Sequence, residues 1–367
     1  MYCAAHNGCV RAGTNGNDDL RRPEPFSTFG GLRMTHVIKV RNVNDAVHEG
    51  FYWLKIAGVD ETSRNGSVRV APGPVVTEYS HPCERVLFDA DRDANAVFHL
   101  LESLWMLAGY NDSAPLLPYN ARMAEYAETS GAIHGAYGYR WRNQFGFDQI
   151  LAIVQELRAK PSSRQCVLQM WHAPMDLGVD VKDRPCNTNA YFQVRKNSED
   201  KPALQMTVCC RSNDALWGAY GANAVHFSIL QELMARAIGV EVGTYTQFSN
   251  NFHAYKAVPV AARWLEQPPA PMERPYPTVY PLLQSSETIE DFFMDCRTVF
   301  NPALPQVWNT SFFHRVVAPL KSVYDARKLK ARTWKVQLDH VADCDWKQAF
   351  IEWASRREAQ GEKHVDL

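Results

Sequence analysis

The sequence has no CxxC pair, no apolar run of membrane-spanning length and no basic leader followed by an apolar stretch. Its nine cysteines are an odd number scattered over 367 residues, which speaks against a secreted disulfide framework and for reduced thiols, most of them buried. With no leader and no span, the expectation is a cytoplasmic protein that makes no use of a membrane. An excess of either sign of charge is missing too: 39 Lys and Arg against 40 Asp and Glu leave a formal charge of -1. That excludes a nucleic-acid coat, so any phosphate must be held by a local cluster.

A hydrophobic content of 46% is present, enough for a substantial α/β core. Residues 1–34 mix Gly, Asn, Asp and Arg without periodicity and read as a mobile arm. Residues 35–283 read as the main folded domain, and 284–367 as a charged helical extension beyond the proline-rich stretch 268–281. Within the domain a strand from Val37 leads to a helix over 44–58 and a loop over 60–74. Apolar spacing predicts helices over 94–108, 148–160 and 223–238, and one ending at Trp264. Strands are expected over 166–171, 189–196, 203–210 and 241–248, the second and third joined as a hairpin.

Four places do not fit a bland core. In the helix over 94–108, Phe98, Leu101, Glu102 and Trp105 share one face, so a carboxylate sits in the apolar stripe. It is either a structural partner of a buried arginine or a working acid. Cys186 lies at a strand start beside Arg184, where a thiolate is favoured, although with nine cysteines packing is the commoner role. The run Arg211-Ser212-Asn213-Asp214 offers a fork donor, a hydroxyl, an amide and a carboxylate, suited to gripping an anion and a polar heterocycle, or else to a solvated strand end. His253 and Tyr255 flank one alanine and would point the same way from a strand, as a pair for a sugar hydroxyl or as a satisfied core histidine with its neighbour.

Taken in order, Glu102 in His99-Leu100-Leu101-Glu102-Ser103-Leu104-Trp105, Tyr137-Gly138 before Trp141-Arg142, Ser163-Arg164, Pro185-Cys186, Arg211 to Asp214, Asn223 and His253-Ala254-Tyr255 resemble the signature of the thymidylate synthase and deoxynucleotide hydroxymethylase superfamily, from Arg64 to Trp264. The resemblance implies a mixed sheet packed with helices, deoxyuridylate (dUMP) as substrate and 5,10-methylenetetrahydrofolate as co-substrate, without a metal. Cys186 matches the nucleophile that adds to C6 of the uracil and turns C5 into a carbon nucleophile. Glu102 matches the acid that moves protons around the ring with ordered water, Tyr137 belonging to the same network. Arg64, Arg164, Arg211 and Ser212 match the phosphate site, Arg164 being supplied by the partner subunit, which implies a homodimer. His253 and Tyr255 match the pair on the deoxyribose 3′-hydroxyl, and Asp214 the acceptor for the pterin. Asn223 matches the residue that chooses the base, an amide for uracil where cytidylate-specific relatives carry aspartate. One extra residue lies between Gly218 and Asn223, and a gapless count from Arg211 places Ala222 there instead.

Three departures point to water rather than hydride as the final acceptor. The tryptophan expected about twenty residues after Glu102 is absent, with Met123 and Tyr126 in that region. The short closing segment of the synthases has no counterpart in the C-terminal sequence. Cys186-Asn187-Thr188-Asn189 and Arg211-Ser212-Asn213-Asp214 look closer to phage deoxycytidylate hydroxymethylases than to most synthases. Gln165 replaces a second arginine, for which Arg69 is a candidate substitute. The resulting expectation is a dUMP hydroxymethylase. A thymidylate synthase, a deoxycytidylate (dCMP) hydroxymethylase, a non-catalytic nucleotide-binding relative and a cysteine hydrolase pairing Cys186 with His226 or His253 are the alternatives.

Overall fold

The structure, a computed structural model, describes residues 34–329 and 334–359. The expected arm, residues 1–34, lies almost wholly outside the described residues. Ten strands are described: β1 (His36–Val40), β2 (Val59–Ser63), β3 (Gly66–Val70), β4 (Val75–Tyr79), β5 (Cys166–Gln169), β6 (Asn187–Lys196), β7 (Pro202–Cys210), β8 (Asn213–Asp214), β9 (Glu241–Ser249) and β10 (Phe252–Tyr255). Six form a mixed sheet in the order β1-β4-β9-β7-β6-β5, and β2-β3-β10-β8 form a second sheet. The α/β class expected from the sequence is therefore the one observed.

The predicted β6–β7 hairpin is present, in register from Asn187↔Cys210 to Lys196↔Pro202. The helix Asn223–Ile238 packs on β7 and β9 and buries all but two of its sixteen residues, so its polar side chains must be paired inside. Gln231 Nε2 donates to the carbonyls of Leu204 and Gly243, and Glu232 pairs with the buried Arg85. Gly239, at φ 86°, ends the helix in the left-handed conformation.

One expectation fails here. Residues 60–74, read as a loop, instead hold most of an antiparallel hairpin, β2 pairing with β3 from Val59↔Val70 to Ser63↔Gly66. Side chains of β2 are exposed on both faces, so no apolar alternation marks it. What makes it a strand is backbone pairing with β3, whose Val68 and Val70 are buried. The Asn65-Gly66 pair was the available signal, with Gly66 at φ 110°.

The C-terminal helices Ile289–Val299, Ala318–Lys328 and Asp345–Ala359 join the same core through Phe292, Leu320 and Trp346. Tyr276 and Leu282, from the proline-rich stretch and its end, are tied in as well, Tyr276 donating to Asp345 Oδ2 at 3.0 Å and Leu282 N–H to Glu232 Oε1 at 3.1 Å.

Candidate active site

Antiparallel pairing of β6 with β7 sets Cys186, just before β6, beside Arg211, just after β7. The Arg211 N–H donates to the Cys186 carbonyl at 2.8 Å. Its guanidinium donates to the carbonyls of Pro185 (2.8 Å) and Arg184 (3.1 Å), which clamps the turn that carries the thiol. From the other side the Tyr137 hydroxyl accepts from the N–H groups of Cys186 and Asn187. Burial pushes the Cys186 thiol up, while Arg211 and Arg64 pull it down and Asp183 adds to the rise.

Tyr137 opens a short helix, Tyr137–Arg142, whose Gly138 lies against the end of the helix Ala96–Leu107. A Cβ there would fall 1.9 Å from the Met106 carbonyl oxygen, so only glycine allows the approach that brings Tyr137 to the Glu102 helix. Glu102 and Tyr137 then line one cavity of about 810 Å³ together with Asp183, Asn223, His226 and Trp217. The sequence left a buried arginine open as the partner of Glu102. That alternative is corrected: His226 Nε2 lies 3.0 Å from Glu102 Oε2, out of hydrogen-bonding alignment and with no other partner among the described residues. His99, in the same wall, is pushed down to about 3 by burial, Arg92 and His226 adding to it, so it is a neutral imidazole. Burial raises the Asp183 carboxyl.

The extra residue before Asn223 is absorbed by a π-helical segment, Ala215–Ala222, whose Gly221 leaves helical geometry at φ -111° and ψ -109°. This wide turn ends where the helix Asn223–Ile238 begins, and Asn223 sits buried with its amide oxygen accepting from Asn187 Nδ2 at 3.0 Å. Ala222 also lines the cavity but has no polar side chain to offer, so Asn223 is the polar group at this position.

Asp214 caps the π-helical segment, Oδ1 accepting from Trp217 N–H at 2.6 Å. Its Oδ2 is buried and has no partner among the described residues, and burial raises its carboxyl. Parallel pairing of β10 with β8 places His253 opposite Asp214. His253 Nδ1 is 2.8 Å from Asn251 Oδ1, and its ring meets that of Tyr255 edge-on at 5.2 Å. The β2–β3 turn carrying Arg64 reaches the same place, Asn65 Nδ2 lying 3.4 Å from the Tyr255 hydroxyl.

Not all expected residues gather here. Arg164 is exposed before β5, outside the cavity wall. Ser212, by contrast, stays beside Arg211, its carbonyl accepting from Cys210 Sγ at 3.0 Å. Arg69 is no substitute for the missing second arginine: its guanidinium is engaged by the Leu54 and Lys55 carbonyls and Asp60. Asp183 and Trp217 were missed, since neither stands in an apolar stripe. Asn187 was legible only as part of a motif. The C-terminal helices also reach the cavity through Tyr324, Lys328, Trp353 and Arg357. Among the described residues no cluster suited to a metal ion is found, and no helix is long and apolar enough to cross a membrane.

A family model described as thymidylate synthase matches residues 92–296. The chain is 43% identical over 339 residues to the deoxyuridylate hydroxymethyltransferase of Pseudomonas phage M6, covering 88% of this chain and 95% of that one. It is 36% identical over 193 residues to the protein so named in Bacillus phage SP01, about half of each chain (50% and 49%). A third of that name, from Delftia phage PhiW-14, is 27% identical over 233 residues, 60% of this chain and 63% of that one.

Proposed function

Since the chain belongs to the thymidylate synthase family, we propose that it transfers a one-carbon unit from methylenetetrahydrofolate to C5 of dUMP, with water as final acceptor, giving 5-hydroxymethyl-dUMP. What supports this reading is that Cys186, Arg211, Tyr137, Glu102 and Asn223, from separate stretches of chain, meet in and beside one cavity, and that the relatives named above carry this activity in their names.

Cys186 adds as thiolate to C6 of the uracil, its position held by Arg211 and Tyr137. Asn223 faces the base. Glu102, with His226 beside it, moves protons at the ring. Arg211, Ser212 and Arg64 receive the phosphate, and His253 with Tyr255 the sugar hydroxyl. Methylenetetrahydrofolate supplies the one-carbon unit. The chain fits that group at Asp214, whose buried Oδ2 lacks a donor among the described residues and suits an N–H of a pterin. The Trp217 ring, with the Arg92 guanidinium 4.2 Å from its centroid, and the aromatic wall of Tyr324 and Trp353 offer flat apolar surface for the rest, with Lys328 and Arg122 exposed at the rim for its carboxylates. The described helices of the extension 284–367 thus wall the folate end of a body formed by residues 35–283.

Arg164, exposed and away from its own cavity, serves the partner's phosphate site in a homodimer. The sheet face carrying Val167 and Tyr191, each 44% exposed, is apolar enough to be the surface that pairs. Met123 and Tyr126 in the cavity wall replace the tryptophan that shields the synthase reaction, which is why water takes the last step.

The test is incubation with dUMP and methylenetetrahydrofolate, product mass being read alongside dihydrofolate absorbance. Hydroxymethyl-dUMP without dihydrofolate is expected; thymidylate with equimolar dihydrofolate would assign the synthase reaction instead.

A further inference from the structure

A closed ring of buried amides and hydroxyls begins and ends on Asn223. Asn187 Nδ2 donates to Asn223 Oδ1 (3.0 Å), Asn223 Nδ2 to Asn213 Oδ1 (3.1 Å), and Asn213 Nδ2 to Gln247 Oε1 (2.8 Å) and Ser249 Oγ (2.9 Å). Gln247 Nε2 donates to the Tyr245 hydroxyl (2.9 Å), which lies 3.5 Å from the Asn223 carbonyl as its donor. All six residues are buried.

A side-chain amide has two N–H donors and two acceptor lone pairs. The ring takes one donor and Asn187 one acceptor site of the Asn223 amide, leaving one donor and one acceptor. That is the complement of the O4 and N3–H edge of uracil. Cytosine presents the reverse edge, and Asn223 would meet it by turning its amide over. Turned alone, its nitrogen would face Asn187 Nδ2 and its oxygen Asn213 Oδ1, two like-pole contacts in a buried site.

We propose that Asn213, Gln247 and Tyr245 are positioning residues that hold the amide of Asn223 in the uracil-reading orientation, and so set the preference for dUMP over dCMP; Asn187, whose own Oδ1 has no partner among the described residues, follows that orientation. The proposal rests on the reading that Asn223 faces the base. Tyr245 orients the ring: accepting from Gln247 while its proton is directed to a backbone carbonyl, it turns the Gln247 oxygen toward Asn213 and, through Asn213, the Asn223 nitrogen inward.

Two substitutions test it by dissociation constants for dUMP and dCMP, measured by calorimetry without folate. Asn187→Asp replaces the donor by an acceptor. Asn223, Asn213 and Gln247 can then all turn over and stay paired, so the dUMP-to-dCMP preference falls by about tenfold or more. Tyr245→Phe removes the group that orients Gln247 without adding volume, and should narrow the same preference by a few-fold. If either residue were merely structural, both nucleotides would weaken together and the ratio would stay; that result in folded variants overturns the proposal. Wild-type protein that binds neither nucleotide would instead sink the functional reading, and the proposal with it.

Discussion

One phenol oxygen, that of Tyr137, accepts from the N–H groups of both Cys186 and Asn187, at 2.9 and 3.0 Å, where β6 begins. Cys186 is the proposed nucleophile, and Asn187 donates to the Asn223 amide, so the nucleophile and a partner of the proposed base reader hang from the same atom. Burial raises the Tyr137 hydroxyl well above its ordinary pKa, so it stays a neutral phenol at working pH.

Tyr137→Phe leaves two N–H groups at a partly buried turn without their acceptor. The expected cost is about 1–3 kcal/mol of stability and a fall in kcat on the order of 100-fold from a misplaced thiol, with dUMP affinity changing less. Thermal unfolding and steady-state kinetics check both, and an unchanged kcat would remove Tyr137 from the machinery.

The unpartnered Oδ2 of Asp214 gives a second expectation. Asn keeps an acceptor for the Trp217 cap but replaces the other oxygen with a donor. In Asp214→Asn the KM for methylenetetrahydrofolate should rise about tenfold or more while that for dUMP moves less. Equal changes in both would place Asp214 away from the folate.

Arg164 and Cys186 allow a complementation test of the proposed shared site. Arg164→Ala and Cys186→Ala proteins should each be nearly inactive alone. After mixing and subunit exchange, half the dimers are heterodimers and each has one intact site, so about one quarter of wild-type activity returns. No recovery, with exchange verified by mass, would place Arg164 outside the partner's site.

Stability should depend on pH through Asp345. It is buried among Arg85, Tyr276, Glu232 and the backbone of Trp346, and burial pushes its carboxyl up to about 7, Arg85 and the hydrogen bonds opposing. The unfolded carboxyl titrates near 4. Between those values the folded protein holds a proton that the unfolded chain has lost, so this contribution is full below about pH 4 and is lost as pH rises through about 7. Asp345→Asn keeps the acceptor for Tyr276 and removes the slope. Melting temperatures at about pH 5 and about pH 8 should lie closer together in the variant, a difference on the order of a few kcal/mol in stability; an unchanged difference would assign the slope to another group.

Local pattern made much of this protein readable. The helix Asn223–Ile238 was legible to the residue because its apolar positions continue unbroken to a glycine, and the β6–β7 hairpin because strand-forming residues flank a polar turn. Glu102 stood out as an acid in an apolar stripe, and Cys186 and Arg211 came through motif order. The β2–β3 hairpin was not legible, since a strand exposed on both faces carries no alternation and exists through its partner.

Residue chemistry and local periodicity, both written along the chain, by themselves marked most helices and strands, the acid in the stripe and the anion-gripping run, while the order of the motifs singled out Cys186 and implied the fold. Only the tertiary structure decided that Glu102 meets His226, that Arg69 is engaged elsewhere, that a π-helical turn delivers Asn223, and that Asn213, Gln247 and Tyr245 close a ring behind it. Those pairings join residues far apart in sequence. Hydrogen bonds between them depend on distance and direction in space, and no spacing along the chain encodes either.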